Sequence, residues 1–281
     1  MNRLLLCTDL DRTLLPNGTA PESPRARGLF ARLAAHPGVT LVYVTGRDPG
    51  LVEAALATWE VPPPDVLIAD VGTTIADRAP DRWRRWPQWD EVLAPDWNGR
   101  SGAELRDALR GVAGLELQEE SRQGRWKVSL LTPPDADPLQ LAAAVRERLD
   151  PLDVRASMIW SRDEVLGAGL LDVLPAGADK GRAITFVMER LGYGLDEVVF
   201  AGDSGNDLEV LTGPIPSVLV ANAAEELRAT AQREALAAGH GEALHLAAGG
   251  VLGLNGNYAG GILEGVLHYH PEWQEWLEKG T

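Results

Sequence analysis

Two carboxylates one residue apart, Asp9 and Asp11, follow directly on the apolar run Leu4-Leu5-Leu6-Cys7-Thr8. Such a run suits a strand buried on both faces, the usual state of a central strand in a parallel sheet. Strand side chains alternate and the chain turns here, so both acids can leave the strand's carboxyl end toward one crevice, where open α/β sheets collect ligands. Acids this close repel each other and raise each other's pKa. A hard divalent cation removes that cost, and Mg2+ favours carboxylate oxygens while leaving positions for water and phosphate. Alone, the Asp-x-Asp-x-Thr of residues 9–13 is equally compatible with loop residues or a helix cap, so its meaning depends on partners further along.

Three further polar clusters stand at strand ends or helix starts. Thr45-Gly46-Arg47 closes the β-branched run Val39 to Val44, Lys180 opens a helix after Asp179, and Gly202-Asp203-Ser204-Gly205-Asn206-Asp207 ends the apolar run Val198 to Ala201. Taken singly, they read as a strand-to-helix turn, a solvated lysine and a helix cap, with Arg47 paired to Asp48 or to a helix carboxyl end. In this order and context they are far more specific. The chain resembles the haloacid dehalogenase superfamily of phosphotransferases, whose four motifs match in type, order and strand context.

The resemblance implies a role for each residue. Asp9 is the nucleophile that forms an aspartyl phosphate, and Asp11 is the acid and then the base. Asp9, Asp203 and the backbone carbonyl of Asp11 hold Mg2+, with Asp207 and Asn206 in support. Thr45, the Gly46 amide, Arg47 and Lys180 face the phosphoryl oxygens. At residue 12 many members carry glycine and this chain carries Arg12, whose side chain can face the crevice mouth or simply be exposed.

Around these residues the sequence predicts a doubly wound α/β core. The helices are Ser23 to Ala35 and Pro49 to Trp59, and Val66 to Ala69 is a third strand leading into a turn or hairpin. From Arg78 the pattern changes to short alternating strands (Leu115 to Glu119, Trp126 to Leu131, Val154 to Trp160) and helices at Ser101 to Val112 and Leu139 to Leu149. We therefore expect a Rossmann-like core over 1–77 and 172–281 and an inserted α+β domain over 78–171. Downstream, helices are expected at 180–191, 224–236 and, last in the chain, Ala259 to Tyr269, with a strand at Ser217 to Val220.

An insertion between the second and third motifs resembles a cap of the C2 type, which in this superfamily folds over the site and supplies specificity. Within that group the chain resembles sucrose-6-phosphate phosphatase and its relatives in Trp126-Lys127-Val128-Ser129, Gly202 to Asp207, Asn222-Ala223 and Tyr258 to Glu264. The resemblance implies Mg2+-dependent hydrolysis of sucrose 6-phosphate or a related disaccharide phosphate. The alternatives are phosphatases for mannosylfructose phosphate, glucosylglycerate phosphate or mannosylglycerate phosphate, a phosphomannomutase, and a non-catalytic sugar-phosphate-binding partner of a glycosyltransferase. Lys127 is the candidate sugar contact, with a surface lysine equally compatible. Of the nine tryptophans, Trp83, Trp86 and Trp89 are expected to pack the cap or hinge.

Composition limits the remaining options. A chain of 281 residues with net charge -15 disfavours nucleic acid as a partner, while local cations still govern a small phosphate site because distant charges are screened beyond ~10 Å. No apolar run reaches spanning length, and the N-terminus runs straight into a strand, so neither membrane insertion nor secretion is expected. The single cysteine, Cys7, sits in the apolar run and rules out an internal disulfide, which fits a cytoplasmic protein. The five histidines show no metal spacing beside the acids and are expected on the surface or in packing.

Overall fold

The computed structural model describes residues 3–79, 82–163 and 166–279. Residues 1, 2, 280 and 281, at the outer limits of the expected core, and 80, 81, 164 and 165, in the expected cap, lie outside the described residues. The chain opens with β1 (Leu4–Thr8), α1 (Ala26–Ala34), β2 (Val39–Val44), α2 (Pro49–Trp59), β3 (Val66–Ala69), β4 (Thr74–Arg78) and β5 (Trp83–Arg85). Then follow α3 (Pro87–Leu93), α4 (Gly102–Leu109), β6 (Glu116–Leu117), β7 (Val128–Thr132), α5 (Pro138–Leu149), β8 (Ala156–Asp163) and β9 (Ala168–Pro175). The last part holds α6 (Lys180–Leu191), β10 (Val198–Gly202), α7 (Leu208–Leu211), β11 (Ser217–Leu219), α8 (Glu225–Ala237), β12 (Leu244–Leu246), α9 (Ala259–Tyr269) and α10 (Gln274–Glu278).

The chain divides into two compact units, one built from residues up to Gly72, Ala76–Arg84 and everything from Lys180, the other from Thr73–Ile75 and Arg85–Asp179. The first carries most of an eight-stranded sheet ordered β12-β11-β10-β1-β2-β3-β4-β5, parallel from β12 through β3. All five residues of β1 are buried, as its unbroken apolar sequence requires of a strand with neighbours on both sides. From β1 the order runs forward through β2 on one side and through β10 on the other, so the switch point, and with it a crevice, falls at the carboxyl end of β1.

Helices cover this sheet with narrow apolar faces. α1 buries Ala26, Leu29, Phe30 and Leu33, the spacing of one helical face. α9 comes close to β11 because Gly265 has no side chain; a Cβ there would lie 2.4 Å from the Val218 Cβ. Tyr269 is not the end of helical structure: after His270, a turn at Pro271–Trp273 leads into α10, whose Leu277 is buried.

The second unit is an antiparallel sheet ordered β6-β7-β9-β8 with α4 and α5. Its limits differ from those expected. β9 pairs with β7 and β8 through Val173 and Pro175, so the residues after Leu171 belong to this sheet and not to a resumed core pattern. The tryptophans Trp86, Trp89, Trp97 and Trp126 are buried, and Trp97 meets Trp126 edge to face at 5.5 Å, so they pack the unit. Among the described residues no helix is long and apolar enough to cross a membrane.

Candidate active site

Strand register brings distant acids together. Thr8 pairs with Ala201 of β10, and the Asp9 amide donates to the Ala201 carbonyl at 2.9 Å, so Asp9 lies level with Gly202 and one residue short of Asp203. On the other side Thr8 pairs with Tyr43, which puts Asp9 level with Val44 and one short of Thr45. Lys180, the first residue of α6, sends its ammonium into the same place. Its Nζ donates to Asp207 Oδ1 at 2.6 Å, to Asp9 Oδ1 at 3.0 Å and to Asn206 Oδ1 at 3.1 Å. Lys180 is therefore a buried member of the site and not a solvated lysine.

Asp207 is wedged beneath this group. Its Oδ2 accepts from the backbone amides of Asp203 at 3.2 Å and Ser204 at 3.1 Å, and a Cβ on Gly202 would come within 2.6 Å of the same oxygen. Glycine at 202 is thus the condition for Asp207 to reach in. The Thr13 hydroxyl lies 3.2 Å from Asp9 Oδ2 and 3.3 Å from Asp203 Oδ1, bridging the two carboxylates.

Oxygens of Asp9, Asp203 and Asp207 all lie within 4.8 Å of one another, and this is the one such cluster among the described residues. Burial, with the neighbouring Asp207 and Asp203 charges, pushes the Asp9 pKa up to about 7 against the opposing pull of Lys180. Burial likewise raises Asp203 to about 6, although Arg12 beside it pulls the other way. Lys180 would be lowered by its burial, but the Asp207 and Asp9 carboxylates more than offset this and hold it above the ordinary lysine value. Three buried acids served by one buried ammonium are short of positive charge, and their donors are all oxygen, which fits a hard divalent cation. Asp9 and Asp203, backed by Asp207, would hold it.

The carboxyl group of Asp11 stands apart from that cluster. Arg47 grips it with two nitrogens, Nε at 2.7 Å and Nη2 at 2.6 Å, and Asn17 Nδ2 donates to it at 2.7 Å. Burial would raise Asp11, but the Arg47 hydrogen bonds and charge, with Asn17, overcome this and hold it below the usual carboxylate range. Held this way, the Asp11 carboxylate is not part of the cluster that Asp9, Asp203 and Asp207 form. Arg47 makes no hydrogen bond to Asp48 among the described residues; Asp48 instead caps α2 through the amides of Gly50 and Leu51. Thr45 is buried, and its Oγ1 accepts from the Arg47 amide at 3.2 Å.

The backbone behind this loop is unusual. Asp70 and Val71 are left-handed, with φ of 51° and 59°, and their amides donate to the carbonyls of Arg47 and Thr45 at 3.0 and 3.1 Å. A β-branched residue in that region costs roughly 1–3 kcal/mol, and the two hydrogen bonds it makes possible tie down the Thr45-Gly46-Arg47 loop. Nothing in the sequence pointed to it. Arg12 is also left-handed, at φ 58°, and its Nε lies 3.2 Å from Asp203 Oδ2. Here a signal existed, since glycine at the same place in many resembling proteins implies positive φ. Lys127, in the second unit, is buried beside β7 and is not a surface lysine. Asn206 is exposed, and its Oδ1 is engaged by Lys180 and by the Ser204 hydroxyl at 3.0 Å.

The sequence model of the sucrose-6F-phosphate phosphohydrolases matches residues 2–270. The chain belongs to that family. It is thereby a sugar-phosphate phosphatase of the haloacid dehalogenase superfamily, whose phosphatases use a divalent metal, and the acid cluster is the group of residues that suits one. A Nitrosococcus oceani protein described as a HAD-like hydrolase is 46% identical over 278 residues, covering 99% of this chain and 75% of its own. The mannosylfructose-phosphate phosphatase of Agrobacterium fabrum is 33% identical, over 82% of this chain and 88% of its own. In fold, the chain is similar to the sucrose-phosphatase of Synechocystis, solved with sucrose and phosphate, with a TM-score of 0.73 at 24% identity, over 96% of this chain and 98% of that one.

Proposed function

We propose that the chain hydrolyses sucrose 6-phosphate or a closely similar disaccharide phosphate, with Mg2+ as its cation. The observation that carries the chemistry is the convergence of Asp9, Asp203 and Asp207 on one spot with the buried Lys180 ammonium against two of them. A cation bound there would neutralise phosphate charge and the acids' mutual repulsion.

In this reading an Asp9 carboxylate oxygen attacks phosphorus, the bond from phosphorus to the sugar oxygen breaks, and that oxygen takes a proton from Asp11. Asp11 then removes a proton from water, whose oxygen attacks phosphorus and frees phosphate from Asp9. Splitting the transfer this way replaces one difficult step with two easier ones. Lys180, Thr45 and the Gly46 amide stabilise the phosphoryl oxygens. Arg47 holds Asp11 ionised in the free protein; when the guanidinium turns to the phosphoryl oxygens, the released Asp11 carboxylate takes a proton from solvent, and that is the proton it gives to the sugar oxygen. Asn206 and Asp207 keep Lys180 in place, and Lys127 is a proposed contact to sugar hydroxyls.

Mannosylfructose phosphate is the second reading, favoured by the 33% identical relative that acts on it by name. A glycosyltransferase that makes the sugar phosphate is the proposed partner class, and the cytoplasm the proposed setting. A panel of disaccharide and monosaccharide phosphates compared by kcat/KM tests the substrate, because discrimination is expressed there. The proposal expects a disaccharide phosphate to lead. A monosaccharide phosphate preferred over every disaccharide phosphate overturns it.

A further inference from the structure

Arg12 occupies a conformation that glycine adopts freely and a long side chain does not, and two asparagines hold it there. Its amide donates to Asn17 Oδ1 at 2.8 Å, and its carbonyl accepts from Asn222 Nδ2 at 2.7 Å. Each asparagine is anchored at its other end. Asn17 donates to Asp11, and Asn222 Oδ1 accepts from the Tyr258 amide at 2.8 Å, which ties the loop after β1 to the start of α9. Both backbone groups of one strained residue are thus gripped by side chains from opposite directions.

What this clamp presents is a guanidinium at the lip of the acid cluster. Arg12 Nε pairs with Asp203 Oδ2 at 3.2 Å, while the side chain is 58% exposed. Neither terminal nitrogen donates a hydrogen bond among the described residues. A guanidinium held at one nitrogen keeps two more donors in a rigid fork, the geometry that suits the oxygens of a phosphate. Charge favours the same occupant. Asp9, Asp11, Asp203 and Asp207 face Lys180, Arg47 and Arg12, so a divalent cation leaves the group positive by one with Arg12 and neutral without it.

We propose that Arg12 contacts the substrate's phosphate, its free terminal nitrogens binding phosphoryl oxygens at the open side of the site, and that Asn222 is the residue that positions it. The proposal rests on the phosphatase reading and adds a residue to it. It also explains why an arginine is tolerated at a left-handed position.

Arg12→Gly makes a clean test, because glycine relieves the backbone at φ 58° and the fold loses no packed side chain. Thermal melting in EDTA, Mg2+ affinity by titration, binding of inorganic phosphate by calorimetry at saturating Mg2+, and kcat and KM are measured on wild type, Arg12→Gly, Arg12→Lys and Asn222→Ser. The expected result is an Arg12→Gly protein that still unfolds cooperatively and binds inorganic phosphate at least about tenfold more weakly, as for a lost charged hydrogen bond. Arg12→Lys recovers only part of that loss and Asn222→Ser loses part of it. Phosphate affinity and KM within about twofold of wild type, or a loss confined to Mg2+ affinity, overturn the assignment while leaving the phosphatase reading intact. A wild-type protein that neither binds phosphate with Mg2+ nor releases it from any sugar phosphate overturns both.

Discussion

Replacing Lys180 by methionine removes the one buried cation among the clustered acids while keeping most of the side chain's volume. Taking away one partner of a buried ion pair costs about 3–5 kcal/mol, because the other charge is left in a poorly solvating site. Here one ammonium serves two carboxylates, Asp207 at 2.6 Å and Asp9 at 3.0 Å, and all three residues are buried. The loss therefore belongs at the upper end, about 4–5 kcal/mol in EDTA near pH 8. Its pH dependence follows from Asp9, whose pKa burial has already raised to about 7 with Lys180 opposing the rise. A carboxyl group whose folded pKa exceeds its unfolded value contributes stability fully present below the unfolded pKa and lost as pH rises through the folded one. Losing Lys180 raises Asp9 further, so protonation relieves the variant as pH falls and the deficit shrinks toward about pH 5. Urea denaturation of both proteins in EDTA, near pH 5 and pH 8, measures the difference. A deficit below about 1 kcal/mol near pH 8, or one of equal size at both pH values, would mean that Lys180 does not hold the two carboxylates in this way.

Two other outcomes follow from the same geometry. Mg2+ at about a hundred times its dissociation constant should stabilise the protein by about 2.7 kcal/mol, an effect that weakens as Asp9 and Asp203 take up protons between about pH 7 and pH 5; differential scanning calorimetry across that range checks both size and trend. Arg47→Met frees Asp11 from the two nitrogens that hold its pKa down, so the alkaline limb of the kcat/KM profile, where Asp11 loses the proton it gives the leaving oxygen, should move to higher pH, and a limb that stays in place separates Asp11 from that ionisation.

Much of the core was legible because its strands are short apolar runs with only one way to be satisfied. Val39 to Val44 and Val66 to Ala69 became β2 and β3 without change, and the run ending at Thr8 became β1. β9 was not legible: the alternation of half-buried and buried positions over Ala168–Val173 has no matching alternation of polar and apolar residues, and its place is decided by pairing with β7 and β8, which local pattern does not encode. α10 is short, follows a proline turn, and buries only Leu277. At the site, motif order was enough to bring Asp9, Asp203, Asp207 and Lys180 under consideration together. The pairing of Arg47 with Asp11 was not visible, since it depends on how the loop after β2 meets the loop after β1. Strain at Asp70 and Val71 left no trace in residue type, whereas Arg12 stood where glycine is usual and so carried its warning.

The proposed hydrolysis turns on Asp9 taking the phosphoryl group onto its own carboxylate. Mixing the Mg2+-loaded protein with a sugar phosphate labelled in its phosphate, quenching in acid within one turnover and mapping the peptides tests this directly. Label is expected on the peptide that carries Asp9 and, in Asp9→Asn, neither label nor phosphate release. Phosphate released at an undiminished rate by Asp9→Asn, with no labelled peptide in the wild type, would contradict it.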